Sequence, residues 1–127
     1  MQMPSNIIQW FEIPVLDMVR ARHFYQVVFG IHMHEAEVMG MQMAYFPGAY
    51  GDNAVQGALV KSAMHKPSEE GVLVYLNASP DMQSILDKIE AEGGKILMGK
   101  MQLSPELGYT AFFTDTEGNK IALHSWE

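Results

Sequence analysis

The feature that most constrains the fold is an order of predicted elements that occurs twice along the chain. The first half begins with an alternating apolar and polar segment typical of a half-buried strand, followed by an apolar stripe at helical spacing. Its predicted elements are a strand, a helix and three strands, at residues 7–15, 16–30, 31–38, 42–47 and 54–62. The second half repeats this order, with Ser79 as the expected N-cap of its helix. Its elements are predicted at residues 71–78, 79–94, 95–98, 109–115 and 119–126.

Two short matches support an overlay of the halves. Asp17-Met18 lies 64 residues before Asp81-Met82, and Gly30 lies 64 residues before Gly94. The sequence therefore predicts an α+β fold of two tandem βαβββ modules in a single domain over residues 1–127. Module 1 is expected over about 6–62 and module 2 over about 71–126. Because one helix covers only one face of each sheet, we expect the bare faces to curl around a central cavity.

Composition narrows the choice of partners. The chain has 127 residues, a net charge of −7 and no cysteine. The acidic balance disfavours nucleic acid and anionic membranes, and the lack of cysteine excludes disulfides and thiolate metal sites. No apolar run reaches membrane-span length and no secretory signal is visible, so a cytoplasmic protein is expected. The alternating Met39, Met41 and Met43 could line a permissive ligand cavity or fill core.

Three stretches resemble the vicinal oxygen chelate superfamily, which includes glyoxalase I, extradiol dioxygenases and bleomycin-resistance proteins. They are "WFEIPVLDMVRARHFYQVVFG", "GVLVYLNASPDMQSILDKIEAEGGKIL" and "GYTAFFTDTEGNKIALHS". The resemblance implies the glyoxalase/bleomycin resistance/dihydroxybiphenyl dioxygenase-like fold. Such proteins are often dimeric, so a homodimer is expected.

The same resemblance bears on metal binding. Metal-dependent members take one ligand from the first and last strand of each module. By position these ligands fall at Trp10, near Gln56 or Gly57, near Leu73 and at Ala122. Trp, Leu and Ala have no donor atom for a divalent cation, and a catalytic site needs about three protein ligands. We therefore expect neither a metal nor another cofactor, and metal-dependent glyoxalase or dioxygenase chemistry is not expected.

The alternation of the strands brings polar residues to the expected cavity. Glu12 shares its strand face with Trp10, and His124 shares its face with Ala122, so a carboxylate and an imidazole would line one surface. Glu12 and His124 are candidates for general acid–base catalysis, for ligand contact, or for a purely structural pair. The expected ligand-binding residues are Trp10, Glu12, Gln56, Leu73, Tyr75, Asn77, Ala122, His124 and Trp126.

Two other segments carry weaker signals. His32 and His34 have a spacing that can chelate a metal, but no third ligand is apparent nearby, so a solvent-facing strand is favoured. His65 is placed in the loop that joins the modules and is expected to be non-catalytic. Residues 99–109 are a candidate lid, or else a simple connection between strands.

These observations favour a binding protein for an amphiphilic metabolite or drug, held in a Met- and aromatic-lined cavity. Glu12 would meet a cationic or hydrogen-bond-donating group. One alternative is an enzyme related to lactoylglutathione lyase (a lyase, isomerase or dioxygenase), either metal-free through Glu12 and His124 or with metal ligands at other positions. A second alternative is a subunit whose bare sheets serve only to assemble a dimer.

Overall fold

The fold contains eight strands and two helices within the residues that the structure describes. This computed structural model describes residues 6–48 and 54–127. Module 1 consists of β1 (Trp10–Pro14), α1 (Met18–Phe29), β2 (His34–Val38), β3 (Met41–Tyr45) and β4 (Gln56–Lys61). Module 2 consists of β5 (Tyr75–Asn77), α2 (Met82–Ile89), β6 (Lys95–Ser104), β7 (Gly108–Thr114) and β8 (Lys120–Ser125).

The two modules have the same topology. Their sheets run β1-β4-β3-β2 and β5-β8-β7-β6, and in each the first strand pairs in parallel with the last. The remaining neighbours are antiparallel. The prediction of an α+β fold built from two tandem βαβββ modules is therefore confirmed. The curling of the sheets around one cavity stays a prediction.

Equivalent aspartates begin both helices. The side chain of Asp17 accepts a hydrogen bond from the backbone N–H of Arg20, and that of Asp81 accepts one from Ser84. The aspartates of the repeated Asp-Met pair are thus both N-caps, which satisfy free N–H groups of a first helical turn. Asp81, and not Ser79 as predicted, caps α2. Gly30 ends α1 with φ of 64°, a left-handed conformation that glycine adopts at little cost.

One core joins the two modules through their helices. The buried stripe of α1 matches its helical spacing and packs together with the buried residues of α2 and the inner faces of both sheets. The Phe24 ring lies 6.0 Å from the Phe113 ring of module 2 and 5.1 Å from Tyr25. Among the residues that the structure describes, no helix covers the opposite sheet faces. On module 1 that bare face holds a separate small cluster made of Met41, Met43, Tyr45, Ala58 and Val60.

A polar junction at the β7–β8 turn fastens module 2 to the segment between β1 and α1. The Glu117 carboxylate accepts hydrogen bonds from the backbone N–H groups of Leu16 and Asp17, each at 2.8 Å, and forms an ion pair with Arg20 at 2.7 Å. Asn119 donates to the Pro14 carbonyl at 2.7 Å. Sequence-distant groups meet here, so this junction fixes the position of β1 relative to module 2.

A buried Tyr25–Asp115 contact extends the junction into the core. The Tyr25 hydroxyl donates to the Asp115 carboxylate at 2.7 Å. Burial raises the pKa of Asp115, although hydrogen bonds from Tyr25, Asn119 and Glu117 oppose the shift. Burial and the neighbouring Asp115 charge raise the pKa of Tyr25 well above its usual range. The phenol is therefore the proton donor of this contact.

Two strand predictions need correction. β5 covers only Tyr75–Asn77, whereas residues 71–78 were expected, and β6 extends to Ser104, whereas it was expected to end near residue 98. The candidate lid at 99–109 is therefore wrong over most of its length, because residues 99–104 belong to a paired strand and Gly108 begins the next. Across 6–48 and 54–127, no helix is long and apolar enough to cross a membrane.

Candidate functional site

A cavity of about 1050 Å³ opens between the two modules and is called the β1–β5 cavity here. Its walls come from β1, the start of β4 and the segment 72–77 that leads into and includes β5. Phe11, Phe29, Phe46 and aliphatic side chains supply most of the lining. Among the described lining residues, Glu12 is the only one with a charged side chain. A largely apolar cavity with a few polar groups is the usual form of a small-molecule site.

Most of the predicted ligand-binding residues line this cavity. They are Trp10, Glu12, Gln56, Leu73, Tyr75 and Asn77. The residues predicted on β8 and just after it do not belong to the described lining; these are Ala122, His124 and Trp126. The structure thus brings the first-strand residues of both modules together and leaves the end of β8 apart.

The register of β4 decides between Gln56 and Gly57. Gln56 pairs with Trp10, and Gly57 pairs with Phe11. Gly57 lies against the Phe11 ring so closely that a β-carbon there would collide with it. Gln56 therefore shares the face of Trp10 and Glu12, while Gly57 faces the helix side.

A row of neighbouring residues crosses the bare face of module 1. Ala58 pairs with Glu12 on one side and with Tyr45 on the other. The Trp10 and Tyr45 rings lie 6.0 Å apart in an edge-on arrangement. Ala58 is fully buried between Glu12 and Tyr45, so a carboxylate and two aromatic rings lie close together on this face. Such surroundings attract an organic cation.

Each carboxylate oxygen of Glu12 accepts a hydrogen bond. Oε2 accepts from the Trp10 indole N–H at 3.1 Å, and Oε1 lies 2.7 Å from His65 Nε2. These hydrogen bonds lower the pKa of Glu12 below its usual range, and the bond from His65 has the largest effect. The carboxylate is therefore ionised at neutral pH, which suits a cationic partner.

His124 does not form the expected pair with Glu12, because Glu12 contacts His65 instead. The Nε2 of His124 lies 2.6 Å from the Leu107 carbonyl, to which it donates, and its ring packs edge-on against Trp126 at 4.6 Å. Leu107 lies in the β6–β7 turn, so His124 fastens this turn to β8. Trp126 is 67% exposed. The geometry gives His124 a structural contact, and its candidate role in acid–base chemistry stays a prediction.

Ala122 is fully buried between its neighbours on the adjacent strands. It pairs with Tyr75 of β5 and with Phe112 of β7, whose rings lie 6.4 Å apart. Tyr75 therefore lies beside Ala122 on the sheet, and the expected metal position near Leu73 stays a prediction. Leu73 precedes β5 and reaches the cavity from the connection.

The residues at the family's metal positions do not fit a divalent cation. An indole, an amide, an isobutyl group and a methyl group would have to hold it, and together they offer a single ordinary oxygen donor, that of Gln56. Within residues 6–48 and 54–127, no group of three or more His, Asp or Glu side chains is arranged to bind a metal. His32 and His34 contact each other edge-on at 5.1 Å.

Methionines do not form the described cavity lining. Met43 is buried and Met41 packs beside it in the small cluster on the bare face of module 1. Met39 is 92% exposed in the β2–β3 turn with φ of 53°. The expected Met-lined cavity is therefore lined by aliphatic and aromatic side chains instead.

Comparison with known proteins identifies the family. The family model described as Glyoxalase/Bleomycin resistance protein/Dioxygenase superfamily matches residues 7–123. The chain belongs to this superfamily. A "Glyoxylase-like domain-containing protein" from Didymella fabae is 30% identical over 119 residues, which cover 91% of each chain.

Several solved structures share the fold at low sequence identity. A glyoxalase I variant from Zea mays superposes with a TM-score of 0.65 at 18% identity; it covers 92% of this chain, which spans only 45% of the maize chain. TnmS3, described as an antibiotic binding protein from Streptomyces sp. CB03234, superposes with a TM-score of 0.64 at 20% identity. That match covers 97% of this chain and 98% of TnmS3. The single pair of modules therefore matches TnmS3 over its whole length.

Sequence reasoning missed His65 as a neighbour of the site. His65 follows β4 in the connection between the modules, where strand alternation gives no information about direction. A short turn orients the His65 side chain. In this turn the backbone N–H of His65 donates to the Ser62 carbonyl at 3.3 Å, and the backbone N–H of Met64 donates to Ser62 Oγ at 3.1 Å. The Ser-x-x-His spacing is the only local signal, and it is a weak one.

Proposed function

We propose that this protein binds an amphiphilic small molecule that carries a protonated amine, without a metal or other cofactor. The observation that carries this proposal is the β1–β5 cavity, whose described lining is apolar apart from a few polar groups and one ionised carboxylate, Glu12. An apolar body would be buried against the phenylalanines, while the ammonium would pair with Glu12 beside Trp10. The description of TnmS3 as an antibiotic binding protein is consistent with this class of function.

A binding experiment with simple probes tests this proposal. Phenethylammonium and 2-phenylethanol share an aromatic body and differ in the charged group. Calorimetry should show tighter binding of the ammonium to the wild-type protein. Glu12→Gln should weaken it by about ten- to a hundredfold, the range for loss of a hydrogen bond to a charged group, and should change the alcohol little. Glu37→Gln, an exposed change on β2, is the matched control. Equal binding of both probes by all three proteins would contradict the proposal.

The proposal extends to assembly and location. We propose a homodimer in the cytoplasm, in which bare sheet faces are covered by a second copy. Large side chains that remain exposed on or beside these faces support this: Trp10 is 42% exposed and Tyr75 is 52% exposed. Light scattering during size-exclusion chromatography measures the mass directly. A monomer mass at all concentrations would contradict the dimer, and recovery of the protein outside the cytosolic fraction would contradict the location.

A further inference from the structure

A histidine outside the cavity holds the carboxylate inside it. The His65 side chain is 20% exposed and does not belong to the described cavity lining, whereas Glu12 does. His65 Nε2 lies 2.7 Å from Glu12 Oε1. An ionised carboxylate has no proton to donate, so Nε2 must carry the proton of this hydrogen bond. His65 therefore acts on the cavity only through Glu12.

Ser62 orients the histidine from its other side. Ser62 Oγ lies 2.7 Å from His65 Nδ1 and accepts a hydrogen bond from the Met64 backbone. Met64 occupies one lone pair of Oγ, and the hydroxyl proton of Ser62 can be donated to Nδ1 when Nε2 alone carries a ring proton. Both ring nitrogens then have a partner, which fixes the ring orientation.

Trp10 completes the chain of contacts. Its indole N–H donates to the second oxygen of Glu12 at 3.1 Å, so one donor from β1 and one from the turn after β4 hold the carboxylate. A glutamate side chain is otherwise rich in rotamers. When a ligand binds, ordering such a flexible side chain costs free energy and weakens binding. Hydrogen bonds that already hold the side chain in the free protein remove this cost.

We propose that His65 is a positioning residue that fixes Glu12 for an organic ammonium ligand, with Ser62 orienting the imidazole. This inference rests on the proposed function for its ligand, but the Glu12–His65 contact can be tested without one. Loss of the histidine should free the Glu12 side chain to move and lower its affinity for an ammonium by about three- to tenfold, the cost of ordering one flexible side chain.

The binding test compares two substitutions at one position. His65→Ala removes the donor, whereas His65→Gln keeps an amide N–H near the place of Nε2. Phenethylammonium should bind His65→Ala three- to tenfold more weakly than wild type, and His65→Gln should recover most of this loss. 2-Phenylethanol should bind all three proteins alike. His23→Ala is the control, because His23 is exposed and pairs with Glu92 on the helix side of the fold, at 3.3 Å.

A second readout decides the inference even if no probe binds. The Glu12 carboxyl group can be titrated by NMR with the remaining charged neighbours, Lys66, Glu70 and Lys120, unchanged in every variant. The pKa of Glu12 should rise towards its ordinary value in His65→Ala and fall again in His65→Gln. An unchanged Glu12 pKa in His65→Ala would overturn the inference. The inference would also be overturned if ammonium binding depends on Glu12 but is unchanged in His65→Ala. In that case the proposed function would stand.

Discussion

The junction at Glu117 offers the sharpest test of how the two modules are held together. Glu117 has a fully buried side chain and accepts two backbone N–H groups at the start of α1 together with Arg20. An anion at this position also complements the positive end of the helix dipole. Glu117→Gln keeps the size and one carbonyl oxygen but removes the charge, so it isolates the electrostatic part of the junction.

The magnitude follows from the pKa of the group. Hydrogen bonds from Arg20, Asp17, Thr116 and Leu16 outweigh burial and hold the pKa of Glu117 at about 2, against an ordinary 4.5. At about 1.4 kcal/mol per pKa unit, this depression sets an upper bound of roughly 3.4 kcal/mol on the charge contribution. The Arg20 side chain is 49% exposed, so solvent screens the pair, and we expect a loss of roughly 1–2 kcal/mol.

The sign of the pH dependence is fixed by the direction of the shift. Because the folded-state pKa of Glu117 is lowered, its contribution is fully present above pH 4.5 and is lost as the pH falls towards about 2. Urea unfolding at pH 7 should show wild type more stable than Glu117→Gln by roughly 1–2 kcal/mol, and the difference should shrink below pH 4.5. Glu69→Gln, an exposed change in the connection between modules, is the control. Equal stability at pH 7, or a difference that does not vary with pH, would refute this reasoning.

Three further substitutions test other contacts. Asn119→Ala removes hydrogen bonds to Pro14 and Asp115 at 2.7 and 3.1 Å, and should lower the free energy of unfolding by about 1–3 kcal/mol in urea titration; a smaller loss would mean that water replaces them. Gly57→Ala should cost about 1–3 kcal/mol in the same assay, because its methyl group would overlap the Phe11 ring, and unchanged stability would mean that Phe11 moves freely. His124→Ala should leave phenethylammonium affinity unchanged by calorimetry and reduce stability by about 1 kcal/mol through loss of the Leu107 contact; weakened binding would return His124 to the site.

Strand periodicity predicted correctly which side chains share a strand face, but not which residues of other elements lie beside them. Trp10 and Glu12 share one face of β1, and Tyr75 and Asn77 share the equivalent face of β5, because successive side chains of a strand alternate. The helix stripes followed for the same reason, from a period of 3.6 residues. A period assigns a side chain to a face within one element. It says nothing about which residue of another element approaches it.

The incorrect expectations concern contacts between different elements and the bounds of one strand. His124 was matched with Glu12 because each lies on the bare face of its own sheet, yet the described cavity lining includes Glu12 and not His124. The actual partner of Glu12 lies in a turn, where no periodicity operates. The start of β5 was predicted too early because the apolar run at 72–74, which contains two valines, favours a strand locally, while pairing with β8 begins at Tyr75.

The "DTEGN" turn connects the stability of the fold to the candidate site. It joins the strands predicted at 109–115 and 119–126, and polar residues of such a turn usually meet solvent, yet Asp115, Glu117 and Asn119 are all buried. Asn119 and Glu117 hold the chain where β1 ends, and β1 carries Trp10 and Glu12 at its other end. If the strand moves as a rigid unit, weakening the junction should alter the cavity. β1 is also paired along its length with β4, however, and this ladder belongs to module 1 alone. We therefore expect Glu117→Gln to lower stability without changing the affinity for phenethylammonium. A loss of affinity in that variant would mean that module 2 positions β1 more strongly than its own sheet does.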